Sequence, residues 1–160
     1  MTTIAITSAR ILDAGKVGDI LSASNDLMPW LPRLHSAAEE IMYAEEMIKA
    51  GWIRLARADD KIVGFIARWE NDIHALYVLP DWQDQGIGTA LVEDAKSECE
   101  TLVLWSYQAN TSATRFYGLR GFVEMERTDG SENDVGLPDI RFEWNRQKQL
   151  QSKWQIPTRY

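Results

Sequence analysis

The sequence predicts an α/β (α+β) fold in which one mixed sheet of about seven strands is flanked by about four helices, with helices on both faces. Three observations carry the expectation. Segments with strand and helix patterning follow one another in the order β-α-α-β-β-β-α-β-α-β-β, which interleaves strands and helices instead of segregating them. Two pairs of neighbouring strand segments, WIRLARA with IVGFIARW and FVEMER with DIRFEW, read as hairpins. The chain has 160 residues and 45% hydrophobic content, enough to bury roughly two thirds of its unfolded surface in a single core.

Residues 3–7 form a short first strand, and a first helix from Asp13 to Ser24 turns Val17, Ile20 and Leu21 to one side. The loop 25–32, NDLMPWLP, holds two prolines and presents Met28, Trp30 and Leu31. At Ser36 a second helix begins, because its hydroxyl can cap the first turn while Glu39 reaches back. Ala37, Ala38, Ile41, Ala44 and Ile48 repeat at helical intervals up to Gly51, and Glu39, Glu40, Glu45 and Glu46 are expected on a solvated face. The hairpin that follows turns at Asp59-Asp60.

The next strand starts at Asp72 and is stopped by Pro80, which cannot donate to a ladder. A period of two predicts Asp72, His74, Leu76 and Val78 on one face. A helix from Gly88 to Cys99 puts Leu91, Val92, Ala95 and Cys99 inward, strand TLVLWSYQ follows, and a short helix spans Ala113 to Leu119 before the last hairpin.

Gly86-Ile87-Gly88 removes two Cβ atoms where a helix begins, and the unpaired N–H groups there carry the positive end of its dipole, which suits an anion. It is not a dinucleotide fingerprint, since position 91 is Leu91, nor a P-loop, since Gly-Lys-Ser/Thr is missing. With Gln83 the turn becomes Gln-x-x-Gly-x-Gly after a strand ending in Pro, and Asn110 to Phe122 reads NTSATRFYGLRGF. With the weaker segment DDKIVGFIARWEN, these blocks resemble the signatures of the GNAT superfamily of N-acetyltransferases over roughly residues 52 to 145.

The resemblance implies a mostly antiparallel sheet splayed at its centre, acetyl-CoA as co-substrate, and no metal. It places Leu76, Tyr77 and Val78 along the thioester and pantetheine arm, and Gln83, Gln85, Gly86, Ile87, Gly88 and Thr89 around the pyrophosphate. Asn110 would cap this region and contact the cofactor, a plain helix cap being the alternative, Phe116 would contact the cofactor, and Tyr117 matches the tyrosine that protonates the departing sulfur. For the base, Asp72 stands where several family members carry a glutamate, whereas His74 has the better natural pKa. Met28 and Trp30, with Asp129, Glu132 and Asp134 of the last hairpin loop, would flank the acceptor amine. There is one departure. Residues 81–95 contain no Arg or Lys and include Asp84, so phosphate must be held by backbone N–H groups with Gln83 assisting, or by a basic side chain from elsewhere such as Arg115 or Arg120.

The net charge of −7 is uneven: the segment NRQKQLQSKWQIPTRY at 145–160 is basic, leaving 13 basic against 24 acidic side chains elsewhere. That field argues against nucleic acid and favours a cationic acceptor. One cysteine suits a reducing compartment, and no apolar run approaches the ~20 residues of a membrane span. The expectation is a cytoplasmic monomer or homodimer without a membrane partner, with one domain over 1–145 and a basic tail over 146–160. Its function would be transfer of an acetyl group from acetyl-CoA directly to a primary amine of a small molecule or peptide. A non-catalytic acyl-CoA-binding module or sensor is the alternative, and a structural or regulatory partner domain using the NDLMPWLP loop and the tail is a third.

Overall fold

A computed structural model of the chain describes residues 2–148. Its elements are β1 (Ile4–Ser8), α1 (Ala14–Asp26), α2 (Ala37–Lys49), β2 (Ile53–Ala58), β3 (Lys61–Trp69), β4 (Asp72–Val78), α3 (Ile87–Glu98), β5 (Thr101–Tyr107), α4 (Thr111–Leu119), β6 (Val123–Thr128) and β7 (Asp139–Asn145), with 3-10 turns at Ile11–Asp13 and Pro80–Trp82. The seven strands make one sheet in the order β1-β2-β3-β4-β5-β7-β6. All pairings are antiparallel except β4–β5, whose connection through α3 crosses over and returns the chain in the same direction. Among the described residues no helix is long and apolar enough to cross a membrane.

The two faces are covered separately. Val17, Ile20, Ala44 and Ile48 of α1 and α2 pack on Leu55, Phe65 and Ala67, while Leu91, Val92 and Ala95 of α3 and Tyr117 of α4 pack on Ile66, Leu102 and Phe142. The α1–α2 crossing is close, since a Cβ on Gly18 would lie 2.5 Å from the Ile41 side chain. Ser36 and Glu39 form the expected reciprocal cap, with Ser36 Oγ accepting from the Glu39 N–H and the Glu39 carboxylate from the Ser36 N–H.

Several expectations need correction. Asp13 closes the 3-10 turn, where its carboxylate accepts from the Arg10 N–H, and α1 runs on to Asp26. Helix α3 begins at Ile87 and ends at Glu98, leaving Cys99 buried just beyond it. Ala37 and Ala38 are exposed, and Glu40 is buried in the row of Ala44 and Ile48, four residues apart on one helix face. There Glu40 accepts from Ser22 Oγ and from Asn25 Nδ2, with Arg33 at 3.8 Å, so the carboxylate is compensated and ties α1 to α2. Arg146 belongs to the folded body, where its guanidinium donates to the carbonyls of Lys96 and Cys99; the remainder of the expected basic tail, 149–160, lies outside the described residues.

Two irregularities open the centre of the sheet. The β3–β4 register steps from Ala67↔Ala75 to Arg68↔Ile73, so His74 is an inserted, bulged residue. Beyond the bulge the alternation is reversed: Ile73 shares its side with Leu76 and Val78, while Ala75 and Tyr77 face the α1–α2 layer. Asp72 therefore lies on the opposite face from Leu76 and Val78, contrary to a strict period of two. The second irregularity is that β4 and β5 pair only at Asp72↔Val103 and Ile73↔Leu104, after which the strands part.

Candidate active site

One cavity occupies the gap where β4 and β5 part, and a second lies beside it. The larger, about 620 Å³, lies between Met28 and Leu31 of the α1–α2 loop, His74 to Tyr77 of β4, Trp105 to Tyr107 of β5, the start of α4, and the β6–β7 loop at Glu132 to Asp134. The smaller, about 270 Å³, lies between the end of β4, the glycine turn with the start of α3, and Phe116 and Arg120 of the α4 region. Leu76, Ala113 and Tyr117 line both, so the cavities meet at the Tyr117 side chain.

The glycine turn is shaped by its two glycines for different reasons. Gly86 precedes α3 at φ 82°, a left-handed conformation in which a Cβ is strained, and it has no side chain to cap the helix. A Cβ on Gly88 would sit 3.2 Å from two carbons of the Phe116 ring, so its absence lets α4 close against the helix start. The first-turn N–H groups of Ile87, Gly88 and Thr89 precede the first intrahelical bond, Ala90 to Gly86, and carry the positive end of the dipole. Gln83 and Gln85 donate their side-chain amides to the carbonyls of Val78 and Asp81, which fixes the turn; Gln83 also lines the smaller cavity. Arg120, rather than exposed Arg115, reaches this cavity, with Nε 2.9 Å from Thr89 Oγ1 and its guanidinium 4.1 Å from the Phe116 ring centre.

Tyr117 is held by rings. Phe116 and Phe122 stand edge-on to it at 5.3 and 5.5 Å, and Phe142 lies at 6.3 Å. Its burial, reinforced by the nearby Tyr77 phenol, pushes the Tyr117 pKa well above the ordinary tyrosine value, so the phenol stays neutral and proton-bearing across the physiological range. Burial raises Tyr77 as well, and raises Tyr107 with help from Asp139 and Asp134. Asn110 caps α4, its Oδ1 accepting from the Ala113 N–H at 3.2 Å, and its Nδ2 lies 3.8 Å from Met28 Sδ, linking that helix start to the α1–α2 loop.

Of the two base candidates, the structure brings one to the cleft. His74 lines the larger cavity, its ring stacked on Trp52 at 4.8 Å and 20°. Asp72 sits in the closed part of the sheet opposite Trp69 and Val103 and lines neither cavity. On the acceptor side Met28 and Glu132 line the larger cavity, whereas Trp30 stands behind the wall, edge-on to Tyr107 at 5.7 Å. Asp129 does not reach it: its carboxylate accepts from the Ser131 N–H at 2.9 Å, and this contact lowers its pKa. Tyr107, Asp134 and Asp139 do line it, and Asp139 is buried with Thr128 and Asn133 donating to it. Tyr107 could have been found as the last residue of the strand that parts from β4; Asp139 carries no local signal, because it faces the cleft only through the β5–β7 register.

A seven-stranded sheet parted at its one parallel pair, with a glycine turn and helix start beside the parting, is the layout of an acetyltransferase of the GNAT type. Residues 32–143 match the family described as "Acetyltransferase (GNAT) domain", and the chain belongs to that family. It is similar to the peptidyl-lysine N-acetyltransferase YjaB of Salmonella typhimurium, 33% identical over 87 residues that make up 54% of this chain and 58% of the relative. The chain spans about half the length of the curated relatives it matches. At the level of fold it is similar to a GNAT-family acetyltransferase from Bacillus cereus, with TM-score 0.73, 18% identity and coverage of 90% of this chain and 98% of that one. It is likewise similar to PaiA N-acetyltransferase from Thermoplasma acidophilum in complex with coenzyme A, with TM-score 0.69, 21% identity and coverage of 89% and 99%.

Proposed function

We propose that this protein is an acetyl-CoA-dependent N-acetyltransferase that acts by direct transfer on a primary amine of a small molecule or peptide. The observation that carries the reading is the shared wall: a proton-bearing Tyr117 stands where a cavity fitted for an anion meets a cavity lined by carboxylates and aromatic rings. The smaller cavity suits the pyrophosphate of the co-substrate, because it combines free N–H groups at a helix start, a side-chain-free turn and one guanidinium. When bound, acetyl-CoA supplies the acetyl group as a thioester.

The chain's own groups divide the remaining work. The parted edge of β4 from Leu76 to Val78 offers backbone groups along the route between the cavities, and Tyr117 holds its proton at the junction, where a leaving sulfur needs one. His74, at the cleft wall, accepts the amine proton directly or through water. A lysine-like amine at pKa ~10.4 costs about 4.6 kcal/mol to deprotonate at pH 7, whereas an α-amine near ~8 costs about 1, so the α-amine asks less of the base.

Acetyl-CoA at 100 times its Kd stabilises the fold by about 2.7 kcal/mol, a rise in melting temperature of roughly 5–10 °C, and the protein releases free thiol when an amine panel is added. A flat melting temperature with no thiol release would remove the assignment. A shift without thiol release for any amine would instead make the protein an acyl-CoA-binding module.

The larger cavity also indicates the kind of amine. Glu132 and Asp134 line it beside Trp105, Tyr107 and Met28, and among the described residues no Lys or Arg does. Such walls suit a cation with an apolar body, through charge-assisted and cation–π contacts. The Glu132→Gln/Asp134→Asn variant is expected to raise KM about tenfold for diamines and longer polycations and little for monoamines, with Asp129→Asn as the comparison that leaves both alone. Equal losses for both amine classes would mean that the loop does not select the acceptor.

A further inference from the structure

The glycine turn offers an anion site with the wrong charges around it. Residues 81–95 contain Asp81 and Asp84 and no Arg or Lys, and Asp84 itself lines the smaller cavity. A helix start contributes only about half a positive charge, and a pyrophosphate carries more than that. A cation at this site comes from outside the turn, and the structure has one placed for it.

Arg120 lies just past the end of α4 and is fixed on three sides. Nε and Nη2 both donate to Thr89 Oγ1 in the first turn of α3, Nη1 donates to the Phe116 carbonyl at 3.3 Å, and the guanidinium plane lies over the Phe116 ring. These bonds use three of the five N–H donors of a guanidinium and leave two, on a side chain that lines the cavity. Its backbone is fixed as well. Lys96 is buried between the rings of Phe122 and Trp144, and its Nζ donates to the Arg120 carbonyl at 2.6 Å, with Glu93 at 3.3 Å. Thr89 and Lys96 are seven residues apart, two turns along the same face of α3, so the helix whose start lines the smaller cavity holds Arg120 by both side chain and backbone.

We propose that Arg120 is the phosphate-binding cation of this site, contacting the coenzyme A pyrophosphate in place of a basic residue in the glycine turn, and that Lys96 is its positioning residue. The inference rests on the reading of the smaller cavity as the coenzyme A site. A guanidinium held in this way favours a planar, two-oxygen contact that a mobile lysine in the turn would not make.

Calorimetry with coenzyme A, dephospho-coenzyme A and pantetheine tests it. Arg120→Leu weakens coenzyme A and dephospho-coenzyme A each by about 10- to 100-fold, the value of one charge-assisted contact, and leaves pantetheine unchanged, which shows that the rest of the cleft is intact. Arg120→Gln, which can keep the bond to Thr89 without the charge, loses at least tenfold, and adding Gln83→Arg to Arg120→Leu restores most of the affinity by returning a cation to the turn. Lys96→Met weakens coenzyme A by about 3- to 10-fold with pantetheine again unchanged. Native affinity in both Arg120→Leu and Arg120→Gln overturns the inference while leaving the coenzyme A assignment standing. A loss seen with coenzyme A and not with dephospho-coenzyme A overturns it too, because the contact would then be to the 3′-phosphate. If the native protein binds no coenzyme A at all, the assignment fails and takes the inference with it.

Discussion

Tyr117→Phe lowers turnover by about 10- to 1000-fold and leaves the Kd for coenzyme A close to native, because a hydrogen bond to a leaving sulfur strengthens only as charge forms there. The packing predicts that the variant folds normally, since its ring contacts with Phe116, Phe122 and Phe142 are those of a phenylalanine. The raised pKa of Tyr117 does not count against the role. A thiolate forming in the same buried place is desolvated by the same surroundings, so both pKa values move up and the mismatch between acid and sulfur stays small. For the same reason the phenol sets no alkaline limit on activity below about pH 10. Saturating turnover and calorimetry on the same preparation decide the matter; native turnover in Tyr117→Phe would leave the sulfur to be protonated by solvent.

The second large effect is expected from Gly86→Val/Gly88→Val, which abolishes the rise in melting temperature produced by acetyl-CoA. Valine at 86 must adopt φ near 82°, a strained conformation for a β-branched residue, so the turn rearranges. Valine at 88 starts with a Cβ 3.2 Å from the Phe116 ring and adds two methyl groups, which displace the ring on which Arg120 lies. Helix α3 stays anchored by Leu91, Val92 and Ala95, so circular dichroism should show a folded protein without the ligand response. An undiminished response in that folded variant would place the co-substrate elsewhere.

The order of elements was legible throughout because each carries a local signal: the Ser36–Glu39 cap, the Asp59-Asp60 turn with both residues at positive φ, and the proline that stops β4. The parting of β4 from β5 was legible only through the family resemblance, since neither strand's own composition reports whether its neighbour leaves. The bulge at His74 was hidden for a related reason. Register is a property of two strands, and the alternation of β4 taken alone assigns Asp72 and Leu76 to one face when the pairing with β3 separates them. Glu40 misled by its chemistry, although its spacing to Ala44 and Ile48 already placed it in the buried row. Arg115 and Arg120 could not be told apart without knowing which face of α4 meets α3.

A sheet that opens in its interior has four edges where an ordinary open sheet has two. The outer pair is β1 and β6, and β6 carries Glu124, Glu126 and Arg127, charges of the kind that discourage another chain from adding a strand. The inner pair, β4 beyond Ile73 and β5 beyond Leu104, is guarded by shape instead: rows of hydrogen-bonding backbone face each other across a slot walled by Met28 and Leu31 on one side and by Ala113 and Tyr117 on the other. Such a slot admits one thin, extended molecule at a time and shuts out a folded neighbour's sheet edge. The opening that makes room for chemistry is thereby kept from becoming a seed for aggregation.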